Sequence, residues 1–271
     1  MLIHHARSLL FLPASNARAI EKARGLPCDM VILDLEDAVP DGDKDAARAG
    51  VVEALAQGFG HRLKAVRINS AGTPWHGVDM VAVKASSADY VVLPKVEDPR
   101  QARDVFSVTQ KPVIAMIESA KGALAAPAIA AGEGVAALFM GTNDLRADLR
   151  IPAAAGRAGL SLILQSVVLA ARAAGVAVFD GVYNRLDDAA GLETECAEGH
   201  GLGFDGKTLI HPAQIDAANR IYGPDPEALA EARRLIEAAT GGAERFDGRM
   251  IEAMHVAQAR ALIERAEAVG G

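Results

Sequence analysis

The stretch VILDLEDAVP, residues 31–40, decides how this chain is read. Val31, Ile32 and Leu33 form a short apolar run of the kind that suits a parallel strand covered on both faces. The run then opens into Asp34, Glu36 and Asp37, three carboxylates within four residues. Carboxylates are costly to bury without partners, so the end of this strand marks a site. If the strand continues, alternation places Asp34 and Glu36 on one face and Asp37 on the other. Like charges on one face repel unless a cation or hydrogen-bond donors hold them. The first expectation is a divalent-metal site. The competing reading makes the acids loop residues that cap a helix starting near Asp41.

Working outward, eight strand-like apolar segments recur at 8–12, 30–35, 63–68, 90–93, 113–117, 135–140, 176–179 and 206–210. Alanine-, leucine- and charge-rich stretches suited to helices lie between most of them, at 43–57, 98–109, 121–131, 153–174 and 187–200. Regular alternation predicts a parallel sheet, and eight units within the 271-residue chain predict a closed (β/α)₈ TIM barrel over residues 1–222. No GxGxxG turn follows the first strand, which argues against an open dinucleotide-binding sheet. Residues 223–271 read as a C-terminal helical extension. Pro226 opens one helix running through Leu235, Gly241 and Gly242 break it, and 249–268 is helical again. With the barrel complete, this tail is expected to pack on a neighbouring subunit or to close over the site.

Composition supports a single folded unit: 51% hydrophobic and 23% charged residues give ample core and no reason for disorder. A formal charge of −7 argues against a nucleic-acid partner. Cys28 and Cys196 lie far apart without metal-ligand spacing and read as inert thiols. The N-terminus has no signal-peptide pattern, and no stretch reaches the roughly 18 apolar residues of a membrane span, so the expectation is a cytoplasmic protein without a membrane partner.

Barrel enzymes carry their chemistry on the loops after the carboxyl ends of the strands. Those ends here bring Ser15 and Asn16, Glu36 and Asp37, Arg67 and Asn69, Lys95, Glu118, Asp144, Asp180 and His211. Glu118 and Asp144 end adjacent strands, and a pair of carboxylates completed by waters is what magnesium prefers; the alternative is a helix cap and a turn. Arg67 is placed to bind a substrate carboxylate or to stabilise a developing enolate oxygen, or else to pair structurally with Glu36 or Asp37. Lys95 and Lys207 are further strand-end cations. Arg18 and Lys22, on the first helix, could meet phosphates of a long ligand or simply be solvated. His211 could shuttle protons but lacks a visible partner. No GxSxG elbow, HExxH, P-loop or Ser/His/Asp pattern appears.

The set RSLLFLP, VILDLEDAV with Lys44 and Arg48 following, RIN, LPKV, IES, GTNDL and GFDGKTLIHPAQI resembles the HpcH/HpaI aldolase and citrate lyase β-subunit family over nearly the whole chain. The resemblance implies a magnesium-dependent barrel that makes or breaks a carbon–carbon bond between an acyl-CoA thioester and an α-oxo acid. By resemblance Glu118 and Asp144 hold the metal, Arg67 contacts substrate, Glu36 and Asp37 orient water or the arginine, and Arg18 and Lys22 lie near coenzyme A phosphates. In lyase members a C-terminal MIDxP aspartate, offered across the subunit interface, protonates the enolate carbon. Here the segment reads MIEAM, with Glu252 for the aspartate and Met254 for the proline. Ala14 also replaces a glycine usual after the first-strand proline. The leading expectation is a malyl-CoA or citramalyl-CoA type lyase, active as a homo-oligomer, a trimer or hexamer. The alternatives are a citrate lyase β subunit, an aldolase on free hydroxy-oxo acids and a catalytically idle thioester-binding protein.

Overall fold

Each expected apolar run is a strand, and together they close on themselves. In the computed structural model, which describes residues 1–60, 62–239 and 242–270, the parallel strands β1 (Ser8–Pro13), β2 (Met30–Asp34), β3 (Leu63–Arg67), β4 (Tyr90–Leu93), β5 (Val113–Ile117), β6 (Val135–Met140), β7 (Ala177–Asp180) and β8 (Gly206–Leu209) form a closed barrel in sequential order. Around it run α1 (Ala17–Ala23), α2 (Lys44–Ala56), α3 (His76–Ala85), α4 (Pro99–Thr109), α5 (Ala120–Ala130), α6 (Thr142–Asp148), α7 (Ser161–Ala174), α8 (Ala189–Leu202) and α9 (Ile215–Ile221). This is a (β/α)₈ TIM barrel. No described helix is long and apolar enough to cross a membrane.

Side-chain alternation builds two apolar layers. Leu9, Ile32, Ala65, Ile114, Phe139 and Phe179 fill the barrel interior. Leu10, Val31, Leu33, Val66, Leu138 and Val178 face the helices. On β2 the inward set is Met30 and Ile32, so the next inward position is Asp34. The register pairs Asp34 directly with Arg67 on β3, which brings a carboxylate and a guanidinium side by side at the barrel's carboxyl end.

Two expected helices are shorter than the pattern suggested. The helix read over 153–174 starts only at Ser161, because Gly156, at φ 60° and ψ −151°, breaks the chain between two short 3₁₀ turns. The tail begins as expected with α10 (Pro226–Ala238), whose N-cap Asp225 accepts from Ala228 N–H. Gly241, read as part of its stop signal, lies outside the described residues. The helix read over 249–268 is preceded by a hairpin, β9 (Glu244–Phe246) and β10 (Arg249–Ile251), so α11 (Ala253–Gly270) starts after Glu252. Leu235, Ile251 and Ala259 form a small separate core there. Arg265 Nη2 donates to the carbonyls of Asp205 (2.6 Å) and Tyr222 (3.0 Å), and α11 packs on the turn Ile3–His5. Asp205 and this turn precede β8 and β1, so the tail is tied to the amino end of the barrel. Within one chain none of its described residues lines the cavity at the mouth.

Candidate active site

The mouth is organised around Arg67. Its Nε and Nη2 donate to Asp34 Oδ1 and Oδ2 at 2.7 and 2.6 Å, a bidentate pair that fixes the guanidinium plane. Nη1 is thereby turned toward Glu36 Oε2 at 3.0 Å and Asp37 Oδ2 at 3.6 Å. Asp34 also accepts the backbone N–H groups of Glu36 and Ala38, so one carboxylate holds both the arginine and the following acidic loop. From behind, the buried Lys44 ammonium donates to the carbonyls of Leu35 and Glu36, both at 2.9 Å, and to Asn69 Oδ1 at 2.8 Å. That loop is over-determined, as a site loop must be to hold charged groups in fixed positions.

Glu118, inward-facing just after β5, is buried and accepts the Lys95 backbone N–H at 2.6 Å. Lys95 adopts a left-handed conformation, φ 54°, unusual for a residue with a Cβ and typical of constrained functional positions. Its ammonium reaches between Glu36 Oε1 (3.7 Å) and Asp144 Oδ2 (3.9 Å). Asp144 stands in the first turn of α6, whose start at Gly141 is tied to β5 by a hydrogen bond to the Ile117 carbonyl. Gly141 is required by contact: a Cβ there would collide with the Glu118 carboxylate.

Electrostatically the acids exceed their partners. Burial pushes the Glu118 carboxyl up to about 7, with the nearby Asp144 charge adding to the rise and the Lys95 N–H opposing it. Burial likewise raises Glu36 to about 7; Arg67 opposes the shift, while Asp37 and Glu118 add to it. Neither Glu36 carboxylate oxygen accepts a hydrogen bond among the described residues. Around these groups lies a cavity of about 400 Å³ lined by Arg67, Asp34, Asp37, Glu118 and Asp144 and by the apolar Phe11, Pro13, Val182 and Ile210, with the Arg67 guanidinium over the Phe11 ring at 5.2 Å. Its size is within the range of small-molecule sites, roughly 300–1,000 Å³. No three described His, Cys, Asp or Glu residues converge as a complete ligand cage.

Arg67, Glu36, Asp37, Lys95, Glu118 and Asp144 are thus brought together at one rim. Arg18 and Lys22 are exposed on α1 and do not line this cavity. Glu252 is exposed at the start of α11, where its backbone N–H donates to His255 Nδ1, and it too is absent from the cavity wall. Two residues expected at strand ends have other roles, and Lys207 stands at the second position of β8, not at its carboxyl end. Lys207, fully buried, donates to Asp180 Oδ2 (3.1 Å), the Gly181 carbonyl (2.6 Å) and Glu195 Oε1 (2.7 Å), between the barrel and its helices. His211 caps the turn Pro212–Gln214 by accepting from Ala213 N–H, a backbone role. Asp34 was legible as an acid but not as the partner of Arg67. The inward alternation Met30, Ile32, Asp34 was the signal available for it.

Residues 7–212 match the model of the HpcH/HpaI aldolase/citrate lyase family. The chain belongs to that family. It is 42% identical to a (3S)-malyl-CoA thioesterase of Cereibacter sphaeroides, over 98% of this chain and 96% of that one. Against the citrate lyase subunit beta of Escherichia coli it is 33% identical, over 97% and 94%. Among solved structures it resembles Mycobacterium tuberculosis CitE in complex with magnesium, acetoacetate and coenzyme A, with a TM-score of 0.82 and 32% identity over 98% of this chain and all of that one. The named relatives within the family are therefore lyases or thioesterases.

Proposed function

We propose that this protein is a magnesium-dependent carbon–carbon lyase acting on a 3-hydroxyacyl-CoA thioester of the malyl or citramalyl type, releasing acetyl-CoA and an α-oxo acid. The observation that carries the reading is the pairing, across one small cavity, of two carboxylates, Glu118 and Asp144, with a guanidinium locked in place by Asp34. The donor set fits a hard cation. It offers oxygens only, Glu118 is held ionisable against a strong burial penalty, and the Lys95 ammonium already lies within 4.0 Å of Asp144 and Glu36. Bound between Glu118 and Asp144, magnesium would supply Lewis-acid polarisation of the substrate's hydroxyl and carboxylate oxygens.

Arg67 then serves the other half of the reaction. Once the hydroxyl has lost its proton to solvent, the alkoxide oxygen becomes the oxo group as the bond between the hydroxyl carbon and the carbon next to the thioester breaks, and the electron pair of that bond passes into a thioester enolate. Arg67 lines the cavity in which that oxygen would develop charge, and a preorganised cation there would lower the barrier without reorganising. Glu36 and Asp37 keep the guanidinium turned inward. The acid that protonates the enolate carbon is Glu252 supplied by a second copy, since in its own chain the tail is tied to the far end of the barrel. This makes the working unit a homo-oligomer, a trimer or hexamer. Arg18 and Lys22, on the exposed face of α1, would meet the coenzyme's phosphates outside the cavity.

A second reading, favoured by the 42% likeness to the malyl-CoA thioesterase over essentially the whole chain, is hydrolysis of the same class of thioester to the free hydroxy acid and coenzyme A. One assay separates the two. Purified protein with magnesium is incubated with malyl-, citramalyl- and citryl-CoA. Acetyl-CoA with an oxo acid supports the lyase, free coenzyme A with the intact hydroxy acid supports hydrolysis, and no product from any substrate refutes both.

A further inference from the structure

Two neighbouring helices on the outside of the barrel carry almost no charge. α5 and α7 pack directly on each other, and the sequence places one charged residue in each, Lys121 and Arg172. Both are engaged at the edges of the pair: Lys121 with Glu97 at 3.0 Å, before α4, and Arg172 with Asp205 at 2.6 Å, before β8. Over a similar length α2 carries Lys44, Asp45, Arg48 and Glu53. Two polar side chains of α7 are also engaged within the chain, Ser166 Oγ donating to the Leu162 carbonyl at 2.7 Å and Gln165 Nε2 to the Leu202 carbonyl at 3.2 Å.

On this neutral face stand Leu124, 88% exposed, and Leu162, 81% exposed, the two most exposed large apolar side chains among the described residues, followed by Leu169 at 69%. Helical spacing arranges the face in two stripes. On α7 the exposed residues Leu162, Ser166, Leu169 and Ala173 succeed one another at four, three and four positions. On α5 the exposed Leu124 and Ala131 stand seven positions apart, with Pro127 and Ala128 between them. Both stripes are complementary to their own reverse. Laid antiparallel on a second α7, Leu162 meets Ala173 and Leu169 meets Ser166; on a second α5, Leu124 meets Ala131. Large side chains fall on small ones, the condition for close packing.

We infer that the α5/α7 face joins two copies of this chain across a two-fold axis, α5 on α5 and α7 on α7, each pair antiparallel. Such an interface is isologous and closes on itself. It also suits the charge of the chain: copies carrying a formal −7 repel one another, and here they meet where neither presents an acid. At 1.5 Å per residue the helices are roughly 16 and 21 Å long, and side by side they offer a footprint on the order of 400 Å². That is half of the roughly 800 Å² per partner of a standard stable interface, so a single contact is weak. Two tail-linked trimers meeting through this face would make three such contacts, about 2,400 Å² in all, the size of a permanent interface. The face therefore selects the hexamer over the trimer. The number of copies rests on the tail exchange proposed above; the pairing itself does not, and neither depends on the reaction.

Sedimentation of the full chain over about 1–100 μM tests the pairing. The triple variant Leu124→Glu, Leu162→Glu, Leu169→Glu is expected to have half the mass of the unaltered protein, with the dissociation constant of pairing raised at least about a hundredfold. The three positions are exposed, so the melting temperature of the separated units serves as the check on folding, and the milder Leu169→Ser is expected to weaken pairing by about tenfold. Val81→Glu, 63% exposed on α3, should leave the mass unchanged. Mixing the triple Glu variant with the corresponding triple Arg variant should restore the doubled mass, because only a contact between two copies brings those charges together. Equal masses for the unaltered protein and the Glu variant, an equal loss in Val81→Glu, or no recovery on mixing would each overturn the inference. A doubling from one copy to two, in place of three to six, would keep the pairing and refute the tail exchange.

Discussion

Two clusters of buried carboxylates and cations stand on the same barrel and behave in opposite ways. Between the barrel and its helices, Asp180 is met by Lys207 Nζ at 3.1 Å and by Arg157 Nη2 at 2.7 Å, with Glu195 joining both cations. Burial alone would push the Asp180 carboxyl up, but the charges of Lys207 and Arg157 outweigh it and hold the group below its usual range. At the mouth, Glu36 and Glu118 are also buried, yet their partners do not offset desolvation, and both rise to about 7. A completed network is a structural fixture; an acid left with spare affinity for positive charge marks a place where something binds.

Breaking the completed cluster should have the largest effect. Asp180→Ala leaves Lys207 and Arg157 buried without their central anion and is expected to lower folding stability by about 3–5 kcal/mol in urea unfolding. A loss below about 1 kcal/mol would show that the network is not what holds this face together. The mouth should respond the other way. Glu118→Ala is expected to cut magnesium-dependent turnover by about a thousandfold and to abolish measurable magnesium binding in calorimetry, with stability unchanged or higher because a desolvated carboxyl is gone. Retained magnesium affinity would refute Glu118 as a ligand.

Smaller changes sharpen the contrast. Glu36→Gln should weaken magnesium binding by about 10–100-fold, less than Glu118→Ala, if it acts on the site through Arg67 and water. In pH-dependent unfolding, the Asp180 contribution is fully present above its unfolded pKa and is lost as pH falls through its depressed folded value. Asp180→Asn should lack that acid-side loss. At the tail, Glu252→Asp is expected to change turnover by no more than about threefold while Glu252→Ala lowers it further. Equal, unaltered rates in both variants would remove the tail acid from the mechanism.

Much of this was readable from residue order. The strands announced themselves because branched apolar runs between alanine-rich segments have few other uses. Face was harder than place. Asp180 ends its strand, as Arg67 does, and Lys207 is the second residue of β8, but both continue the outward set with Val178 and Leu209, so they face helices and not the mouth. Asp34 shows the converse, since Met30 and Ile32 already fixed its inward direction. The tail hairpin left a signal in Asp247–Gly248, whose φ values of 46° and 81° are those a tight two-residue turn demands. Three-residue strands on either side are too short for periodicity to reveal. Arg18, Lys22 and Glu252 are exposed and apart from the cavity, so the roles proposed for them require a long ligand and a second chain.

The left-handed backbone at Lys95 carries a consequence for anyone engineering this protein. Glycine tolerates φ 54° without penalty, so Lys95→Gly is a substitution that a search for thermal robustness would favour, by about 1 kcal/mol of relieved strain. The same change would remove the ammonium from between Glu36 and Asp144 and slacken the peptide whose N–H orients Glu118. Robustness and activity therefore trade against each other at a single residue, and consensus-style stabilisation of this barrel should leave position 95 alone.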